Sequence, residues 1–325
     1  MASWQQALSR AFTDPAELLR YLELDPALLP AARRAAQSFG LRVPRGYAEL
    51  MAKGRPDDPL LRQVLPLAEE LHEQPGFRRD PVGDLAAATM PGLLQKYPGR
   101  ALLVTTGACA IHCRYCFRRH FPYPAAGLSL GRLSKVLDRL RADPGLSEVI
   151  LSGGDPLVLT DRRLSALVSE LGTLPGLRRL RIHTRLPVVL PQRITPDLLT
   201  ALSHPRLQAV MVIHANHPRE VSPQARSALA ASKQAGFTLL NQTVLLKGVN
   251  DGADVLCTLS EALFESGVLP YYLHLLDRVQ GAHHFEVDES RAVALYRAMR
   301  SRLPGYLVPR LVRETPEEAS KTPLV

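Results

Sequence analysis

Three of the four cysteines in this 325-residue chain fall within eight positions, as Cys109, Cys113 and Cys116. Thiols gathered this closely do not form the spread pairs of a disulfide scaffold. In a reducing compartment such a group more often binds metal. The cluster follows the apolar run ALLVTT at 101–106, so the C-x3-C-x2-C spacing presents three thiolates from one loop at the end of a predicted strand. Three ligands suit a 4Fe–4S cluster with one iron left for a small molecule. Structural zinc is the alternative, and it needs a fourth ligand such as His112. The remaining Cys257 has no cysteine neighbour and reads as a small buried apolar side chain.

From Ala101 onward, short apolar runs alternate with amphipathic stretches. The runs at 101–106, 148–153, 180–185, 207–214, 237–246 and 269–276 read as strands. Helices are expected to begin near Leu130, Asp161, Pro196, Pro223, Ala253 and Asp288. Strand–helix alternation at this spacing predicts a parallel sheet with right-handed crossovers. Six units predict an α/β fold built as a partial, six-stranded parallel β/α barrel. Polar groups collect at the strand carboxyl ends, where barrel-like folds place their sites. These are Gly153-Gly154-Asp155, His183-Thr184-Arg185, His214–His217 and Asn241-Gln242. The expected organisation is a helical N-terminal region over 1–95, the barrel over 96–302, and a C-terminal segment over 303–325 that returns across the barrel mouth.

Composition narrows the function classes. No apolar run approaches the roughly 20 residues of a membrane span, and the amino terminus lacks the pattern of a secretory signal. A cytoplasmic location is expected. The formal charge is +9, which favours anionic partners. The arginines are scattered as pairs and form no basic block or aromatic-interleaved stripe, which argues against nucleic acid as a partner.

With these residues in view, the C-x3-C-x2-C loop after the first barrel strand resembles the signature of the radical S-adenosylmethionine superfamily. Ser152-Gly153-Gly154-Asp155-Pro156, one crossover later, resembles its glycine-rich motif near the methionyl amine. The resemblance narrows to the lysine 2,3-aminomutases through several ordered blocks: Lys96-Tyr97-Pro98-Gly99-Arg100, the segment Arg185–Thr195, His217-Pro218, the segment Asn241–Asp251, and Pro270-Tyr271-Tyr272. The stretch Cys113–Phe121 is most similar to the branch of that family which supplies (R)-β-lysine for modifying elongation factor P.

The resemblance implies a 4Fe–4S cluster on Cys109, Cys113 and Cys116, with S-adenosylmethionine as the radical source. It also implies pyridoxal 5′-phosphate, because a 1,2-amino shift needs the migrating nitrogen held on a cofactor. Of the six lysines, Lys53, Lys96, Lys135, Lys233, Lys247 and Lys321, the resemblance assigns Lys321 to that cofactor. Arg118 stands at the position of the arginine that takes the substrate α-carboxylate, and Asp277 and Glu314 at the acids that take its distal ammonium. Gly153, Gly154 and Asp155 are implied near S-adenosylmethionine. Arg100 and Gln242 are candidates for further cofactor contacts. Arg185 is a candidate for the carboxylate of S-adenosylmethionine or for a structural ion pair. The expected reaction is an isomerisation, L-α-lysine to β-lysine. The expected partners are L-lysine, an electron donor such as flavodoxin or ferredoxin, and, functionally, elongation factor P with its lysyl ligase. A free-standing aminomutase of catabolism or secondary metabolism is the competing enzyme reading. A non-catalytic iron–sulfur or zinc protein is the competing non-enzyme reading.

Overall fold

The computed structural model describes residues 3–316 and 318–325. Its centre is one sheet of ten strands in sequence order: β1 (Ala88–Met90), β2 (Leu93–Leu94), β3 (Arg100–Thr106), β4 (Glu148–Gly153), β5 (Arg179–Thr184), β6 (Gln208–Ile213), β7 (Thr238–Val244), β8 (Leu269–His274), β9 (Arg310–Arg313) and β10 (Thr322–Pro323). Strands β3 to β9 run parallel. The six expected barrel strands are all present. The count of six is nevertheless low, because a seventh parallel strand, β9, lies against β8. Short antiparallel strands flank this parallel set: β1 and β2 on the β3 side, β10 on the β9 side.

The sequence explains most of these elements. Glu148–Gly153 is buried at every position, as fits a strand of a parallel barrel whose outer face packs under helices and whose inner face turns inward. The crossover helices are α1 (Leu130–Arg141), α2 (Asp161–Gly172), α3 (Pro196–Ala201), α4 (Pro223–Gln234), α5 (Ala253–Glu265) and α6 (Glu289–Arg302). Thr160, Thr195 and Ser222 cap α2, α3 and α4 with side-chain oxygens, and proline begins α3 and α4. These are strong start signals. Four expected strands overran at their carboxyl ends, the last two of them by two residues each. In those two, Leu245, Leu246, Leu275 and Leu276 continue the apolar pattern, but they turn into buried loops leading from β7 to α5 and from β8 to α6.

The N-terminal region has no core of its own. Phe12, Leu18, Leu22, Tyr47, Leu60 and Leu61 bury into one apolar cluster with Leu103, Val149 and Leu180 of the sheet. Pro59 starts a short helix at Pro59–Arg62, capped by Asp58. Cys257 is 5% exposed on α5 in a second cluster with Leu256, Leu273 and Leu295. Among the described residues, no helix is long and apolar enough to cross a membrane.

Candidate active site

A cavity of about 310 Å³ opens over the carboxyl ends of the strands. The loop after β3 lines one side with Cys109, Cys113 and Cys116, and the chain terminus contributes Glu314 and Lys321 to the same cavity. Apart from His112, all the candidates named from the sequence line it: Arg100, Arg118, Gly153, Gly154, Asp155, Arg185, Gln242 and Asp277 complete the set. Candidate positions up to 221 residues apart, from Arg100 to Lys321, thus meet in one space.

The cysteine loop is braced from beneath by the β4 turn. Gly154 N–H donates to Thr106 O (2.6 Å) and Asp155 N–H to Ala108 O (2.8 Å). Gly153 sits at φ +124, and a Cβ on Gly154 would stand 2.2 Å from Ala108 O. Only glycine allows the two backbones to approach this closely. Burial pushes the Cys109 thiol well above its usual range and Cys116 up to about 11, with neighbouring thiols adding to both. A bound metal, by its charge, would hold such thiols as thiolates.

The donor set decides between cluster and zinc. His112, the nearby candidate for a fourth zinc ligand, turns away from the cavity. Its Nδ1 lies 2.8 Å from Gly40 O and its ring stacks on Phe39 at 5.2 Å. Among the described residues, no cage of three or more Cys, His, Asp or Glu is preformed. Three cysteines without a fourth protein ligand fit a 4Fe–4S cluster that keeps one iron for a small molecule.

Asp155 is more structural than the sequence suggested, and Arg185 makes the structural ion pair that the sequence offered as one of its two readings. The Asp155 carboxylate accepts from Thr184 Oγ1 (2.8 Å), Arg185 N–H (2.7 Å) and Leu157 N–H (3.0 Å), which brackets the ends of β4 and β5. Burial raises it to about 6 against these bonds. Arg185 is 6% exposed. Its Nη2 donates to Glu220 and Gln63, both at 2.6 Å, and its Nη1 lies 2.7 Å from Cys113 Sγ. Glu220 also accepts from Tyr47 (2.8 Å). The structural ion pair is thus present, and Arg185 Nε remains buried without a partner. Gln242 Nε2 is likewise buried and unpartnered. Two orphaned donors on a cavity wall are costly unless something polar satisfies them, which suits a site for polar cofactors.

At the other end, Glu314 Oε2 pairs with Lys321 Nζ at 2.5 Å, and its Oε1 accepts from Tyr97 Oη at 2.6 Å. Lys96 Nζ stands 3.6 Å from Glu314 and 2.8 Å from Asp84. Asp84 in turn takes Arg118 Nε at 2.6 Å. Asp277 has no ion-pair partner among the described residues. Burial raises its carboxyl to about 7, although Lys321 works against the shift. The Lys321 side chain is only 22% exposed and the Glu314 side chain 10%, unlike a solvated tail lysine or a surface acid. Arg100 lies over the Tyr97 ring at 4.9 Å. Sequence reasoning missed Asp84 and Glu220, and it named His183 and His214 only within polar groups at the strand ends, without a role. Asp84 and Glu220 carried no local signal, and only the fold brings the two histidines to the cavity.

A three-cysteine loop at the mouth of a parallel α/β barrel defines a radical S-adenosylmethionine enzyme, and residues 103–256 match the model of the radical SAM superfamily. The chain is 49% identical to an L-lysine 2,3-aminomutase of Escherichia coli K12 over 322 residues, covering 99% of this chain and 94% of that one. It is 46% identical to an L-lysine 2,3-aminomutase of Haemophilus influenzae Rd, covering 98% and 95%. It is 33% identical to that of Clostridium subterminale, covering 99% and 77%. The chain belongs to the lysine 2,3-aminomutase family. It is therefore an isomerase, and membership implies a 4Fe–4S cluster, S-adenosylmethionine and pyridoxal phosphate, with which the residues of the cavity are compatible.

Proposed function

We propose that this enzyme converts L-α-lysine to β-lysine, of R configuration, for the modification of elongation factor P. The observation that carries the reading is one cavity with three thiols on one wall and, on another, a lysine–acid pair, Lys321–Glu314, with Asp277 nearby. When bound, the iron–sulfur cluster with S-adenosylmethionine supplies a hydrogen-abstracting radical, and pyridoxal phosphate holds the migrating nitrogen.

The chain's own groups bind and orient. Cys109, Cys113 and Cys116 are the cluster ligands in this reading, with Gly153 and Gly154 keeping their loop in place. Asp155 acts through the backbone it brackets, and Arg185 faces S-adenosylmethionine through its free Nε. Arg100 and Gln242 contact pyridoxal phosphate, and Lys321 is the lysine that attaches it. Arg118 takes the substrate α-carboxylate, for which a guanidinium is suited. Asp277 and Glu314 take the distal ammonium. Two acids at that end favour a cationic side chain and disfavour glutamate. A low-potential donor such as flavodoxin or ferredoxin supplies the electron.

The link to elongation factor P rests on the resemblance of Cys113–Phe121. The test is anaerobic incubation with lysine, reductant and both organic cofactors, followed by chiral analysis, and then transfer of the product by the lysyl ligase to elongation factor P. (R)-β-lysine that the ligase accepts supports the reading. An S product, or one the ligase refuses, favours a free-standing aminomutase.

A further inference from the structure

Asp84 has no part in the reading above, yet it is 2% exposed on the cavity wall. Its own backbone is held: the Asp80 carboxylate accepts from the N–H groups of Asp84 (3.0 Å) and Leu85 (2.9 Å). Its two carboxylate oxygens serve different cations. Oδ2 takes Arg118 Nε at 2.6 Å, and Oδ1 takes Lys96 Nζ at 2.8 Å. Arg118 is further fixed by Ser152 Oγ on Nη1 (3.0 Å) and by the Phe117 ring beneath its guanidinium at 4.8 Å. Its Nη2 has no protein acceptor among the described residues. Lys96 also donates to Val82 O (2.8 Å) and reaches towards Glu314 at 3.6 Å.

Through these contacts, Arg118, Asp84, Lys96 and Glu314 form one continuous polar unit along the wall. We propose that Asp84 is a positioning residue of the aminomutase reaction. It sets the plane of Arg118 so that the free Nη2 edge meets the substrate carboxylate, and through Lys96 it ties that edge to the acid at the substrate's other end. The inference rests on the reading of Arg118 and Glu314 as the two ends of the lysine site.

Two effects of removing Asp84 oppose each other. Losing a negative charge beside Arg118 strengthens attraction for a carboxylate, while losing the bracket lets the guanidinium turn. The first acts on affinity and the second on alignment of the reacting hydrogen, where small displacements are costly. Asp84→Asn cannot serve both cations, since its amide offers one acceptor oxygen.

The experiment uses the holoenzyme and three readouts: iron content, lysine affinity by equilibrium dialysis without S-adenosylmethionine, and the ratio of 5′-deoxyadenosine to β-lysine formed. In Asp84→Asn that ratio should rise about tenfold or more, with native iron content and lysine affinity within about threefold of wild type. Asp84→Glu keeps the charge but displaces Arg118 by a methylene. It should raise the ratio by about threefold, and it decides the matter should the asparagine variant not fold. Arg118→Gln is the reference and should weaken lysine binding by about tenfold or more. A wild-type ratio in folded Asp84 variants overturns the inference, as does lower turnover accompanied only by lost stability. Unchanged lysine affinity in Arg118→Gln overturns the reading of Arg118 instead.

Discussion

Lys321 and Glu314 face each other across the β9–β10 pair, with Nζ and Oε2 2.5 Å apart. Backbone register produces the contact: Thr322 lies opposite Arg313 and Pro323 opposite Val312, so the antiparallel step carries 321 opposite 314. The seven-residue spacing of the two is therefore a strand-pairing distance.

Lys321→Ala should abolish covalent attachment of pyridoxal phosphate and aminomutase turnover while leaving the iron–sulfur spectrum intact. Borohydride reduction of the loaded wild type, followed by peptide mapping, should label Lys321. Labelling of Lys96, which also lines the cavity, would move the assignment there.

Cys109→Ala, Cys113→Ala and Cys116→Ala should each lose stable 4Fe–4S binding after anaerobic reconstitution, because three ligands leave none to spare. Cys257→Ala should keep it, since that thiol packs in the apolar cluster around α5. Iron counts and visible absorption check both statements. An unchanged count in any of the first three sinks that ligand's assignment.

Asp277 should give lysine capture a pH dependence near neutrality. Burial raises its carboxyl to about 7, so it is mostly protonated at pH 6 and mostly ionised at pH 8. Its ionised form attracts the substrate ammonium. Accordingly, kcat/KM for lysine should rise with pH through about 7, the free-enzyme value. The same shift contributes stability below the unfolded carboxyl pKa, and that contribution is lost as pH rises through the folded one. Asp277→Asn should remove this limb of the profile and weaken lysine binding by about 1.5–3 kcal/mol. An identical profile in the variant would exclude Asp277 as its source.

Gly154→Ala should damage the cysteine loop from outside it. The added methyl would stand 2.2 Å from Ala108 O, a backbone atom with no side-chain freedom to yield. A cost of about 1–3 kcal/mol is expected from the forced shift, with reduced iron loading. Gly131→Ala on α1 has no atom within 4 Å of the new Cβ and should gain about 0.4–1 kcal/mol. Thermal melts and iron content of the pair separate loop damage from a general glycine effect.

Local chemistry made much of this protein legible in its sequence. The cysteine spacing pointed to a metal-binding loop, and the alternation of apolar runs with capped amphipathic stretches set the order of strands and crossover helices. Both signals lie within short windows, where periodicity and side-chain type act directly on the backbone. The tertiary structure decided the rest. The seventh parallel strand is only four residues, Arg310–Arg313, too short for its pattern to stand out, and it is a strand because β8 offers an edge. Asp155 is consumed by Thr184 and the Arg185 backbone because β4 and β5 end side by side. His112 lies outside the cavity because its Nδ1 is held at Gly40 O, 72 residues away, and its ring stacks on Phe39. Asp84 belongs to the cavity only because the chain folds it between Arg118 and Lys96. Each is a pairing between distant segments, and no local window of sequence encodes which buried charge will meet which.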